Sequence, residues 1–363
     1  MGLKCGIVGL PNVGKSTIFN AITRAGAEAA NFPFSTVTPN VGAVAVPDDR
    51  LERIHAWVET KQVVAAELEV VDIAGLPKGA SRGEGLGNKF LGHIKEVDAL
   101  LHVVRCFEDP DVVHDGAIDP VGDIEVCETE LALADLETVE RNLERVQKKT
   151  RTGDKEALEC SELFASVRDA LSEGRQARSL DLSDRQRKLL RPLFLLTSKP
   201  VLYVANVGDG DAANGGPLFP PIMAHAEGCG SEAIALAGRL ECELAELPEE
   251  EAQTFLAEYG LETPGLDRLI RQAYHLLGLR TFFTAGPKEI KAWTFHAGDK
   301  GPRAAAVIHT DFEKKFIRAQ IYSVEDLETH HTEAAIKAAG RMRTEGKEYE
   351  MQDGDIVNFL IGG

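Results

Sequence analysis

The chain has 363 residues, 44% of them hydrophobic and 27% charged, and a formal net charge of −18. That length calls for two or three domains, and the longest apolar runs, near Leu193–Leu196 and Ala99–Val104, fall far short of a membrane span. The acidic balance argues against a protein that coats nucleic acid over its whole surface. It is uneven, however: 126–197 and 281–363 are nearly charge-balanced, so the excess acid lies in 1–125 and 198–280, and an anionic partner is expected at the other two parts.

In chain order, Leu3–Val8 reads as a strand that runs straight into Gly9-Leu10-Pro11-Asn12-Val13-Gly14-Lys15-Ser16. No signal peptide is expected there, and the location implied is cytoplasmic. Six scattered cysteines without a CxxC pair read as free thiols, with neither zinc nor a disulfide. The eight-residue stretch fits G-x-x-x-x-G-K-[ST], after a strand and before a helix over Ser16–Thr23, which is the context a phosphate-cradling loop needs. Its backbone N–H groups and the helix N-terminus would wrap phosphates. Lys15 is expected to reach the β- and γ-phosphates, and the Ser16 hydroxyl to ligate Mg2+.

Asn31–Asn40 is a polar, proline-punctuated loop of the kind that orders around a γ-phosphate, with Thr36 or Thr38 as a second hydroxyl for Mg2+. A strand over Glu67–Asp72 then ends in Asp72-Ile73-Ala74-Gly75. D-x-x-G at such a place holds Mg2+ through water and senses the γ-phosphate with the Gly75 amide. The next position, where Ras-like enzymes carry a water-orienting Gln, is Leu76, so the catalytic group comes from elsewhere or hydrolysis is slow.

After the strand Ala99–Cys106 the strand signals stop. Val139, Leu143 and Val146, then Phe164, Val167 and Leu171, recur at helical spacing on either side of a Gly153-Asp154 stop and cap, predicting a helical hairpin. A third helix is expected from Ser183 to near Pro200, and the basic clusters at 148–151 and 185–188 hint at a contact surface. The α/β rhythm resumes with the strand Val201–Ala205, followed by Asn206-Val207-Gly208-Asp209, where guanine-binding proteins carry N-K-x-D. Val207 replaces the Lys, and Ala237-Gly238-Arg239 stands where Ser-Ala-Lys is usual. From about 281 onward the pattern is a small α+β unit, with strands expected at Ile290–Phe295, Phe316–Tyr322, Glu348–Met351 and Ile356–Ile361 and helices near Pro302–His309 and Glu333–Ala339.

Taken together, Gly9–Thr17, Asn31–Asn40, Asp72–Ser81, Glu130–Asp135, Ala292–Phe295, Val307–Phe312 and Gln352–Asp355 resemble the Obg-like ATPase (YchF) family of P-loop proteins nearly end to end. The resemblance implies an α/β P-loop G domain (1–125 plus 198–280), an inserted α-helical coiled-coil domain (126–197) and a C-terminal β-grasp, ubiquitin-like TGS domain (281–363). It implies ATP as ligand in preference to GTP, with Asn12, Val13, Gly14, Lys15, Ser16 and Thr17 on the triphosphate, and Asn206, Val207, Ala237 and Gly238 around the base. Mg2+ would sit on Ser16, Thr36 and Asp72. The family's apolar residue in place of Gln matches Leu76, and the histidine suggested to compensate matches His114, whose imidazole would orient or deprotonate water. Asn12 matches a position that ligates K+ in some relatives, which makes K+ a second candidate ion. The resemblance also implies a ribosomal partner, with the large subunit expected, and a monomer with neither membrane nor DNA as partner. The chain departs from the family pattern at Gly208, Gly210, 211–221 and Ala237-Gly238-Arg239.

Three readings stand on these residues. The first is a slow Mg2+-dependent ATPase whose loops switch between two states; the second is a GTPase with a degenerate base motif. The third is a ribosome- or RNA-binding module in which nucleotide only tunes affinity.

Overall fold

The structure is a computed structural model that describes residues 3–27, 40–76, 79, 86–109, 117–150 and 154–362. In chain order the first elements are β1 (Lys4–Val8), α1 (Lys15–Ala27), β2 (Asn40–Ala45), α2 (Arg50–His55), β3 (Val63–Val64), β4 (Glu67–Asp72), α3 (Leu86–Lys95), β5 (Ala99–Cys106), α4 (Pro120–Thr150) and α5 (Lys155–Ser172). There follow α6 (Asp184–Leu190), β6 (Val201–Val207), α7 (Phe219–Gly228), β7 (Glu232–Leu236), α8 (Gly238–Leu244), α9 (Glu249–Glu258) and α10 (Gly265–Leu276). The last stretch holds β8 (Leu279–Ala285), β9 (Ile290–His296), α11 (Gly301–Ile308), α12 (Thr310–Lys315), β10 (Phe316–Tyr322), α13 (Val324–His330), α14 (Glu333–Ala338), β11 (Arg343–Glu345) and β12 (Ile356–Ile361). Two compact units divide the chain: Met1–Val44 with Glu69–Leu269, and Ala45–Leu68 with Ile270–Gly363.

In the first unit six strands lie in the order β2-β4-β1-β5-β6-β7. The pairings β4–β1, β1–β5, β5–β6 and β6–β7 are parallel. β5 and β6 are buried along their whole length, as strands covered by helices on both faces must be. One apolar layer joins Val104, Tyr203 and Val207 of the sheet to Phe90 and Ile94 of α3, Leu131 of α4 and Ile222 of α7. The registers Ile7 to Asp72, Arg105 to Asn206 and Asn206 to Leu236 align the C-terminal strand ends. Ligands of open parallel sheets bind at that edge.

α4 and α5 form the predicted hairpin, and their own core joins Val139, Leu143, Phe164, Val167 and Leu171. The helical spacing read from the sequence therefore names the buried face. Asp154 caps α5, accepting from the N–H groups of Glu156 (3.0 Å) and Ala157 (3.3 Å). The hairpin is tied back to the sheet by Asp135, 1% exposed, whose carboxylate accepts from Leu196 N (2.9 Å), Thr197 N (2.8 Å) and Thr197 Oγ1 (2.6 Å).

The third helix stops earlier than its pattern predicts. Ser183 starts it with a capping box, but it ends at Leu190 in a 3-10 turn, Arg191–Leu193, that contains Pro192. A proline ring cannot continue the α-helical ladder. Phe194 then takes left-handed angles, φ 49 and ψ 48.

In the second unit the strand order is β11-β10-β12-β8-β9-β3. β8 and β9 are an antiparallel hairpin, β12 runs parallel to β8, and β10 pairs antiparallel with β12. With α11 crossing between the two hairpins, this is a β-grasp arrangement over a core of Phe282, Phe295, Phe316, Ile321 and Val357. The expected strand at Glu348–Met351 is not formed: that stretch offers a single bridge, Glu350 to Lys300. Tyr349 OH and Gln352 N both bond Asp355 instead, closing a turn. Among the described residues no helix is long and apolar enough to cross a membrane.

Candidate functional site

The loop between β1 and α1 wraps at the sheet edge because its glycines permit it. Gly9 has φ 149 and Gly14 φ 91, and a Cβ on Gly14 would run into Asn206 Nδ2. Asn12, not a glycine, also takes a positive φ of 63. Lys15, 6% exposed, folds back so that Nζ donates to Leu10 O at 2.6 Å. Gly75 lies against this ammonium, since a Cβ built there would stand 3.1 Å from Lys15 Nζ and from Pro11 Cα.

Across the site the Ser16 hydroxyl donates to Asp72 Oδ2 at 3.3 Å. Burial lowers the Lys15 pKa against the pull of Asp72, and burial raises that of Asp72 against the Ser16 hydrogen bond and the Lys15 charge. Both groups are thus held partly out of water, each beside the other's charge. A hydroxyl and one carboxylate side by side suit a hard cation that keeps its remaining positions for water and phosphate oxygens. Among the described residues no group of three or more His, Cys, Asp or Glu is placed to hold a metal.

Leu76 is 2% exposed and packs into the same core as Phe90 and Leu131, while its N–H donates to Gly9 O at 3.0 Å. The position that follows Gly75 therefore fastens the loop and faces away from any water. Gly79 N reaches the Glu130 carboxylate of α4 at 2.7 Å. Thr36, Thr38 and His114 lie outside the described residues.

The predicted base-side residues meet around Asn206. Its Nδ2 donates to Val13 O (3.0 Å), and its Oδ1 accepts from Gly238 N (2.9 Å). One buried amide therefore joins the phosphate loop to the start of α8. Val207 is 4% exposed, with its side chain in the sheet core, so its backbone is what it offers the site. A cavity of about 500 Å3 opens beside these residues, bounded by Asn12, Gly14, Thr17, Asn206, Asp209 and Arg239.

Phe107, Glu108 and Asp109 complete that cavity and were not singled out from the sequence. Their signal was positional: they follow the C-terminal end of a central parallel strand, where such sites form. Behind them Arg105, 3% exposed, stacks over Phe107 at 4.9 Å and donates from Nε to Phe107 O at 3.0 Å.

The chain resembles known proteins along its whole length. Residues 4–149 match a family model described as 50S ribosome-binding GTPase, and residues 279–362 match the YchF GTPase C-terminal model, described as a protein of unknown function. The ribosome-binding ATPase YchF of Bacillus subtilis is 51% identical over 362 residues, covering 99% of both chains. Its namesake in Escherichia coli is also 51% identical over 362 residues with the same coverage. The solved YchF GTPase of Schizosaccharomyces pombe superposes with a TM-score of 0.88 at 40% identity, over 99% of this chain and 98% of that one. Full-length identity of this size, on a fold that brings the phosphate loop, Asp72 and Asn206 to one sheet edge, means that this chain belongs to the YchF family of P-loop proteins.

Proposed function

We propose that the chain is a slow, Mg2+-dependent nucleoside triphosphatase that prefers ATP to GTP and acts as a nucleotide-controlled switch on the ribosome, in the cytoplasm. The observation that carries the reading is the Lys15, Ser16 and Asp72 constellation: one buried cation, one hydroxyl and one carboxylate at the mouth of a phosphate loop. A triphosphate would relieve the Lys15 ammonium and a bound Mg2+ the Asp72 carboxylate, the two groups that burial now pushes toward neutrality. Mg2+, when bound, would supply positive charge to the β- and γ-phosphates. Ser16, Asp72 and, by resemblance, Thr36 would hold it, with K+ at Asn12 as a further candidate.

The protein's own parts then divide the work. Asn12–Thr17 wrap the phosphates, Lys15 leaves Leu10 O for the γ-phosphate, and the Gly75 amide senses that phosphate. The base lies in the cavity beside Asn206, Val207, Ala237 and Gly238, where the absence of the usual Lys supports adenine over guanine. His114, assigned by resemblance, orients the attacking water, since Leu76 is committed to the core. In the same proposal the chain comprises three parts, 1–125 with 198–280, 126–197 and 281–363, although Ala45–Leu68 group in space with the last of them. The separate core of the helical hairpin and the β-grasp order of the last strands support that division. The ribosome is the partner on the strength of the bacterial relatives' names, its large subunit on that of the matching family model's description as a 50S ribosome-binding GTPase, and a monomer is the form proposed.

Direct competition of ATP and GTP for the purified protein with Mg2+ tests the ligand, because the bacterial relatives are named ATPase and the yeast one GTPase. Tighter GTP binding would overturn the preference. Lys15→Ala is expected to lower turnover at least about 100-fold with the fold retained, since the lost charge acts on the transferred phosphate. Turnover that survives this substitution would overturn the site.

A further inference from the structure

Away from the nucleotide site, the foot of the helical hairpin presents a cationic groove on a chain whose net charge is −18. A cavity of about 600 Å3 is bounded by Lys95 of α3, Arg187 and Lys188 of α6, Arg191 of the following 3-10 turn, and Phe194. Two carboxylates also line it: Asp98, which accepts from Lys4 N at 2.9 Å and acts on the charge of Lys199, a further lining cation, and Asp184 in the first turn of α6. Lys95, Lys188 and Arg191 take part in no ion pair among the described residues. Clustered cations that the fold does not neutralise attract an external polyanion.

Phe194 narrows the choice of polyanion. It is 64% exposed, more than any other large hydrophobic residue among those described. Its φ of 49 and ψ of 48 place it in the left-handed region, which favours glycine or asparagine. An aromatic ring in solvent on a strained backbone contributes nothing to the core. A ring beside arginines and lysines is what single-stranded nucleic acid uses, with phosphates on the cations and an unstacked base on the ring. A duplex keeps its bases stacked and would leave the ring without a partner.

We propose that this groove binds a single-stranded RNA segment, with backbone phosphates on Lys95, Arg187, Lys188 and Arg191 and one base stacked on Phe194. The inference deepens, and rests on, the ribosome reading, because it names RNA as what that partner offers.

The test measures fluorescence anisotropy of a labelled 12-nucleotide single-stranded RNA, and of a duplex of the same length, with the full chain over a range of salt. The RNA single strand should bind more tightly than the duplex. The triple variant Arg187→Ala, Lys188→Ala, Arg191→Ala should lose at least about tenfold in affinity and reduce the salt slope by about 2. Phe194→Gly, which removes the ring and the backbone strain together, should lose about tenfold at an unchanged slope, and Phe194→Trp should restore binding. ATP affinity should be unmoved in all variants and none should melt below the wild type, with Phe194→Gly melting slightly above it once its backbone strain is released, which separates a lost contact from a lost fold. Equal binding by wild type and variants, or no RNA binding by wild type, overturns the groove. Ribosome cosedimentation of the same proteins is read separately: wild type that fails to sediment refutes the ribosome reading whatever the oligonucleotide does. Variants that lose ribosomes while wild type binds no RNA would assign the groove to an acidic protein surface and overturn the RNA assignment.

Discussion

Asn206 shows how one residue type serves two ends. A strand-end Asn in an N-K-x-D-like motif reads naturally as a base contact, yet its amide is consumed by Val13 O and Gly238 N. Asn206→Ala would leave two buried backbone groups without partners, at a cost of about 3 kcal/mol in all. A thermal midpoint lower by roughly 8 °C is expected. Because the amide is engaged in positioning the loop through Val13 O and Gly238 N, ATP and GTP are expected to weaken by the same factor. A competition titration in which the substitution changes the ATP-to-GTP ratio would show that Asn206 reads the base after all. The neighbouring glycines behave as the motif requires: Gly14 must stay without a Cβ because Asn206 Nδ2 occupies that space.

At the scale of elements, α4 is fastened to the sheet through a buried polar knot. Glu128 pairs with Arg178, accepts from Tyr203 OH at 2.5 Å and lies 3.5 Å from His225 Nε2 of α7. Burial alone would raise its pKa. The hydrogen bond from His225, the Arg178 charge and the Tyr203 hydroxyl outweigh burial and hold it at about 2. Since the folded value lies below the ordinary one of 4.5, the stabilisation is fully present above about pH 4.5 and is lost as pH falls toward 2. Glu128→Gln should therefore cost about 3 kcal/mol at pH 7 and little at pH 2.5. Denaturant titrations at both pH values check this, and an equal loss at each would mean the charge is not the source. Pattern alone could reveal the hairpin, because Val139, Leu143, Val167 and Leu171 repeat at helical spacing and all are buried. The early end of α6 is readable from Pro192, but this knot is not, since its partners are remote in sequence. For the same reason the grouping of Ala45–Leu68 with the C-terminal unit left no local trace: it rests on pairings such as Val63 with Ile290.

For the whole molecule, charge decides how a polyanionic partner is met. The phosphate loop was legible because its chemistry is local, eight residues between a strand and a helix, whereas the cationic groove gathers α3, α6 and the turn after it from distant parts of the chain. With a net charge of −18 most of the surface repels RNA. Binding must then run through few contacts, which makes its salt dependence countable. Four groove cations, Lys95, Arg187, Lys188 and Arg191, displace counterions from a single strand with a log-log slope of about −3. Raising monovalent salt from 50 to 200 mM should therefore weaken the complex about 50-fold. A slope near −3 for both the oligonucleotide and the ribosome would place the electrostatic contact in this groove. A much steeper slope for the ribosome alone would require a second cationic surface, and the near-balanced charge of 281–363 makes the C-terminal unit the place to look for it.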